Sequence, residues 1–222
     1  MNIISAKDIK QDHITALIYG TPGMGKTSLL GLLPGRTLIV DIDKGTSVLA
    51  GCENVDIVRL DRFQELDELA RQFAHDCPYN NVCIDTLSEL ENGMLNGYAK
   101  QSNTGLPQIQ DYGKVNNHLL YFCRTFRNLD ANVFFTAWEQ YTEIASPSGD
   151  KYSRIEPMIR AKNLENICGL CDIIGRLYHD KDTNTRRVWL DGRINIIARD
   201  RIFKRQSCDF QEVIPNGCSQ LH

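Results

Sequence analysis

The chain has 222 residues, 42% hydrophobic and 24% charged, with a net charge of −3. These totals suit one α/β domain with a sizeable core, leave little room for a second, and exclude a molecule whose overall charge attracts nucleic acid. No apolar run approaches the roughly 20 residues that cross a bilayer. No signal peptide is visible, so a soluble cytoplasmic chain without membrane contact is expected, in the host cytoplasm if it is phage-encoded.

Met1 to Asp12 is polar, and residues 1–13 read as a lead-in to a domain over 14–205. Ile14 to Tyr19 is a short β-prone run, followed by Gly20, Thr21, Pro22, Gly23, Met24, Gly25, Lys26, Thr27 and Ser28. Ser28 to Leu33 then reads as a helix stopped by Pro34-Gly35. The loop fits G-x-x-x-x-G-K-[ST] in the strand–loop–helix context that this pattern requires. Its glycines let successive N–H groups turn inward onto a phosphate, and the helix N-terminus adds partial positive charge. Lys26 is placed to reach the β- and γ-phosphates, and the Thr27 hydroxyl to ligate Mg²⁺. Residues 20–28 are therefore expected to bind a nucleoside triphosphate.

Thr37 to Asp41 is an apolar run suited to a buried parallel strand, with Ile42-Asp43-Lys44-Gly45 at its end. Val55 to Leu60 reads as another strand, Gln64 to His75 as a helix, and Asn81 to Asp85 as a further strand ending in an acid. Asn92 to Gly113 is polar and glycine-containing and reads as a long loop. Tyr112 to Asp130 reads as a helix and Asn132 to Ala137 as a strand, before a second long polar stretch from Tyr141 to Asn163. Asp172 to Tyr178, Arg186 to Leu190 and Ile194 to Ala198 read as three closing strands, and 206–222 as a flexible tail. Strands alternating with helices, then strands alone, predict a mainly parallel sheet extended by antiparallel strands. Between 186 and 205 seven basic residues stand against two acidic ones, enough for a local polyanion site.

The eight cysteines are scattered, a pattern of reduced thiols rather than a disulfide framework. Cys168 and Cys171 form a single C-x-x-C without the second pair that a four-ligand zinc site needs, so buried thiols are expected.

Ligands of open α/β sheets bind beyond the carboxyl ends of the strands. Asp85, after Val-Cys-Ile, fits the acid that holds Mg²⁺ together with Thr27. Hydrolysis also needs a group to orient the attacking water. Asp43 is the first candidate and Glu89 the second.

The loop, the run Leu38 to Asp43, Cys83-Ile84-Asp85-Thr86 and the strand Val133 to Thr136 together resemble the RecA-like P-loop ATPases. Gln110 to Asn116, Cys171 to Leu177 and Ala198 to Arg201 resemble more narrowly the RecA-core nucleotide-binding proteins of bacteriophages that act in recombination or single-strand annealing. The resemblance implies that Asp43 takes the place of a catalytic glutamate, and that Trp138 occupies the γ-phosphate sensor position with Gln140 or Glu139 as substitutes. It implies that Arg199 and Arg201 reach a neighbouring subunit's phosphate, and that the two long loops bind DNA through Lys100, Lys114, Lys151, Arg154, Arg160 and Lys162. The implied protein binds ATP and Mg²⁺, hydrolyses slowly, and assembles head to tail as a ring or filament on single-stranded DNA, with active sites at subunit interfaces. A separate single-strand-binding protein is a candidate partner. Competing readings are a nucleotide-gated replication or partner-loading factor without significant catalysis, and a small-molecule kinase, which the strand-rich tail does not suit.

Overall fold

The computed structural model describes residues 5–8, 13–102, 105–145 and 149–214. In chain order its elements are β1 (Thr15–Gly20), α1 (Lys26–Leu30), β2 (Thr37–Asp41), β3 (Val55–Arg59), α2 (Glu65–Phe73), β4 (Asn81–Asp85), α3 (Leu87–Ala99) and α4 (Ile109–Arg127). They continue with β5 (Asn132–Ala145), β6 (Lys151–Pro157), α5 (Ala161–Leu170), β7 (Ile173–Asp180), β8 (Thr185–Trp189), β9 (Arg199–Asp200) and β10 (Ser207–Asp209).

The strands form one sheet in the order β10-β8-β7-β1-β5-β4-β2-β3, with β6 on β5 and β9 on β7. From β7 to β3 every pairing is parallel. The pairings made by β6, β8, β9 and β10 are antiparallel. This is the α/β, P-loop NTPase-like architecture expected. Leu17, Tyr19, Val40, Ile84 and Phe135 face a core closed by α2, α3, α4 and α5. Ala16, Ile18, Ile39, Cys83 and Phe134 face a second core closed by Leu29 and Leu30 of α1 and by the C-terminal segment. Burial on both faces explains why these strands read as continuous apolar runs. β1 lies between β5 and β7, with β2 to β5 on one side of it and β7 onward on the other, a strand order that leaves a crevice at its carboxyl end.

Both expected long loops are largely regular. Asn92 to Ala99 continues α3, whose Leu87, Leu90, Met94 and Leu95 are buried. The weak helix formers Gly93, Asn96 and Gly97 hide that stripe in the sequence. Tyr141 to Asn163 contains the end of β5, the paired strand β6 and the start of α5, with Tyr141 opposite Ile155 and Ala145 opposite Lys151. This hairpin runs past the carboxyl edge of the sheet with little to bury, so its residues lack an apolar alternation.

Other boundaries also shift. α1 ends at Leu30, and turns carry the chain to Gly35. Ile194 to Ala198 is not a strand, because Arg193 and Ile196 exchange backbone hydrogen bonds in a turn and only isolated bridges form. The expected flexible tail begins as β10 on β8, and Val213 and Ile214 are buried. Arg205 anchors it, donating to Asp200 and to the carbonyls of Glu212 and Val213. The rest of that tail, 215–222, lies outside the described residues, as does most of the lead-in.

Gly175 of β7 leaves room for the side chains of Val188 and Ile18 on one face of the sheet. A methyl group there would lie 2.4 Å from Val188 Cγ1 and 3.0 Å from Ile18 Cδ1. Val188 is β-branched and has little rotamer freedom to yield. Gly175→Ala is therefore expected to destabilise the fold by about 1–3 kcal/mol. Urea unfolding checks this; an unchanged midpoint would contradict the packing.

Candidate phosphate-binding site

The loop after β1 turns through Gly23 and Gly25, at φ of +77° and +97°, a region that residues with a Cβ avoid. α1 spans only five residues, so backbone amides of the loop, more than a helix dipole, are what the fold offers an anion. Lys26 is 6% exposed, and its Nζ donates to the carbonyls of Gly20 at 2.9 Å and Thr21 at 3.0 Å. Burial pulls its pKa down, while the charges of Asp85, Asp43 and Glu139 push it up. The ammonium is thus desolvated and aimed along the loop, as a phosphate contact requires.

Thr27 Oγ1 donates to Asp85 Oδ2 at 2.6 Å, and the Thr136 hydroxyl donates to Asp85 Oδ1. β5 separates β1 from β4, and Thr136 lies in it opposite Ile18 of β1. It therefore ties the two chemical strands together. Thr136 was not a sequence candidate; only its place in the middle strand could have marked it. Asp85 is fully buried, and burial pushes its carboxyl pKa up while the two hydroxyls hold it down. A hydroxyl and a carboxylate oxygen at this separation fit a Mg²⁺ ion, which when bound would draw charge from phosphate oxygens.

The site opens into a cavity of about 440 Å³ whose walls include Gly25, Lys26, Thr27, Asp43, Asp85 and Trp138. Asp43 is exposed, and its Oδ1 accepts from Gly45 N–H at 2.9 Å. Glu89 is not part of the cavity wall, so Asp43 is the better placed acid. Asp41 is buried and fully engaged by the Thr46 hydroxyl, Gly45 N–H and Arg59, which shapes the loop that presents Asp43. A cleft of about 680 Å³ on the other side of Asp41, lined by Phe63 and the glycine face of α3, includes Lys100.

Several expected site residues are placed elsewhere. Gln140 does not line the cavity; its amide donates to Glu156 at 3.1 Å within the hairpin. Glu139 is committed to Arg176 through contacts of 2.7 and 3.2 Å. Arg199 caps the end of α5, donating to the carbonyls of Cys168 and Cys171, both of which are buried thiols. Arg199 Nη2 is thereby committed within its own chain. Arg201 is exposed and follows β9, at the amino end of β7 and far from the loop. Among the expected DNA-binding cations, Lys114 pairs with Asp111, Lys151 with Glu143 and Arg154 with Glu156, and Arg160 stacks on Tyr112. Lys100 and Lys162 are exposed and form no ion pair among the described residues. One residue outside the candidate set, Arg186 of β8, also lines the cavity.

The sequence matches a family model described as an AAA domain over residues 12–202. The protein belongs to this AAA domain family. The match spans the loop, Asp43, Asp85, Arg186 and Arg201, and it makes the chain a member of a P-loop ATPase family. No curated protein matches the chain. Among the described residues of this AAA domain, no helix is long and apolar enough to cross a membrane.

The buried Asp85 charge has a stability consequence. Its pKa in the fold lies above the unfolded value, so the charged form costs stability above the folded pKa, and the cost is relieved as pH falls through it. Asp85→Asn is expected to raise the thermal midpoint near neutral pH without added nucleotide, by about 2–4 °C per kcal/mol relieved. The same change is expected to remove stabilisation by Mg-nucleotide. The advantage over wild type should shrink on acidification; a midpoint below wild type at neutral pH would contradict the assignment.

Proposed function

We propose that this AAA domain binds Mg-ATP, hydrolyses it slowly, and assembles head to tail on single-stranded DNA to promote annealing or strand exchange in phage recombination. The observation that carries the nucleotide part is the convergence of Lys26, Thr27 and Asp85 across β1, β5 and β4. In this reading Lys26 binds the β- and γ-phosphates, Thr27 and Asp85 hold the metal, and Asp43 orients water. Arg201 projects from the amino edge of the sheet, where only a neighbour's nucleotide could meet it.

The DNA part draws support from the β5–β6 hairpin. Seven register pairs extend it past the carboxyl edge, a reach of roughly 20 Å at strand spacing. Tyr141 on this arm is 64% exposed, and an exposed aromatic is a stacking platform for an unpaired base. The arm's cations are largely neutralised by Glu143 and Glu156, so stacking rather than net charge is its contribution.

A second reading, a nucleotide-gated assembly factor with little catalysis, is favoured by Trp138. Its indole lines the cavity where a sensor would stand, and the indole N–H donates but cannot accept.

Turnover measured with and without single-stranded DNA across protein concentration separates the two. DNA stimulation that grows with concentration supports the recombination ATPase, whereas tight binding without turnover supports the assembly factor. Lys26→Ala is expected to abolish ATP binding in a folded protein, and normal affinity would remove the site assignment. Arg201→Ala is expected to lower turnover by more than it lowers binding; equal turnover would remove the trans arginine.

A further inference from the structure

β8 is locked beside β7 with Arg186 opposite His179 and Trp189 opposite Arg176. Val188, two residues on and therefore on the same face, is buried in the core beneath α1. Arg186 consequently emerges on the α1 face, beyond the carboxyl end of β1. Its Nη1 stands 2.6 Å, and its Cζ 3.1 Å, from the point that a Cβ on Gly25 would occupy. The space left by that glycine is the space the guanidinium fills.

Arg186 is exposed and, among the described residues, forms no ion pair. Its neighbour Arg187 has two acids, Asp180 at 3.8 Å and Asp209 at 3.3 Å. The Arg186 guanidinium shares the cavity wall with the loop glycines, the buried Lys26 ammonium and the carboxylates of Asp43 and Asp85. A phosphate chain bound on the loop would lie between the two cations and be attracted by both.

We propose that Arg186 is a phosphate-binding residue supplied in cis, closing from β8 over the loop and donating to oxygens of the triphosphate chain. This rests on the nucleotide reading above and adds a contact that no neighbouring subunit supplies. Arg186 and Arg201 then divide the work by position. β7 starts beside Ala16 of β1 and reaches Tyr19 at Arg176, so Arg186 lies past the loop end and Arg201 before the other end. Only Arg186 can touch the nucleotide bound by its own chain. A planar guanidinium also matches two phosphate oxygens at once, which an ammonium does not.

The test uses the full chain with a fluorescent ATP analogue and Mg²⁺, and inorganic tripolyphosphate as competitor, over a range of protein concentrations. Arg186→Ala is expected to weaken both ligands by about tenfold or more at every concentration, the loss of one charge-assisted contact. Arg186→Lys should recover part of the loss. Wild-type affinities in Arg186→Ala, with Lys26→Ala inactive, would overturn the proposal and leave the nucleotide site standing. A loss confined to the nucleotide, with tripolyphosphate unaffected, would place Arg186 on the base or sugar and also overturn it. Failure of the wild-type protein to bind either ligand would remove the nucleotide reading and the Arg186 assignment together.

Discussion

A buried carboxylate is the constraint on which the rest of the structure depends. Asp85 has no exposure to solvent, and the hydroxyls of Thr27 and Thr136 engage both of its oxygens. A charge so placed is tolerated only when its lone pairs are satisfied. The two donors come from different elements: Thr27 from the first turn of α1, and Thr136 from the strand that separates β1 from β4. Satisfying Asp85 therefore fixes the strand order, the register of β5 and the start of α1 together. Lys26 is constrained in the same way, with two carbonyls of its own loop holding a desolvated ammonium.

β5 is both spacer and lever. Its first half carries Thr136 between the two chemical strands, and its second half becomes the arm. The hinge between them is heavily tied. Ser88 Oγ accepts from Trp138 N–H and donates to the Met158 carbonyl, while Tyr19 donates to the Ile197 carbonyl. Glu139 next to Trp138 is clamped by Arg176 of β7. Removing one partner from so buried a pair costs about 3–5 kcal/mol in measured cases, more than a surface pair contributes. The base of the arm is therefore fixed to the strands that carry the site.

The loop, β2, β4 and Asp85 were legible because glycine spacing, apolar runs and a terminal acid are local signals. The parallel sheet with its antiparallel closing strands was legible for the same reason. α3 and the β5–β6 hairpin were not. Glycines and asparagines dilute the buried stripe of α3, and the outer part of the hairpin, 141–145 and 151–154, is half-buried or exposed and so carries polar residues on both faces. Thr136 and Arg186 belong to the site through strand order and register, which no local pattern records. Conversely, Arg199 and Gln140 look chemically suited in sequence but are consumed by a helix end and by Glu156.

The positions of the two remaining arginines bear on how assembly could act. Arg186 reaches the loop of its own chain from β8, so its charge arrives with folding. Arg201 sits at the opposite end of the sheet, so the proposed trans contact requires the amino edge of one chain to face the carboxyl edge of the next. If binding charge is intrinsic and the trans arginine is not, nucleotide affinity is set before assembly and only the hydrolytic step waits for it.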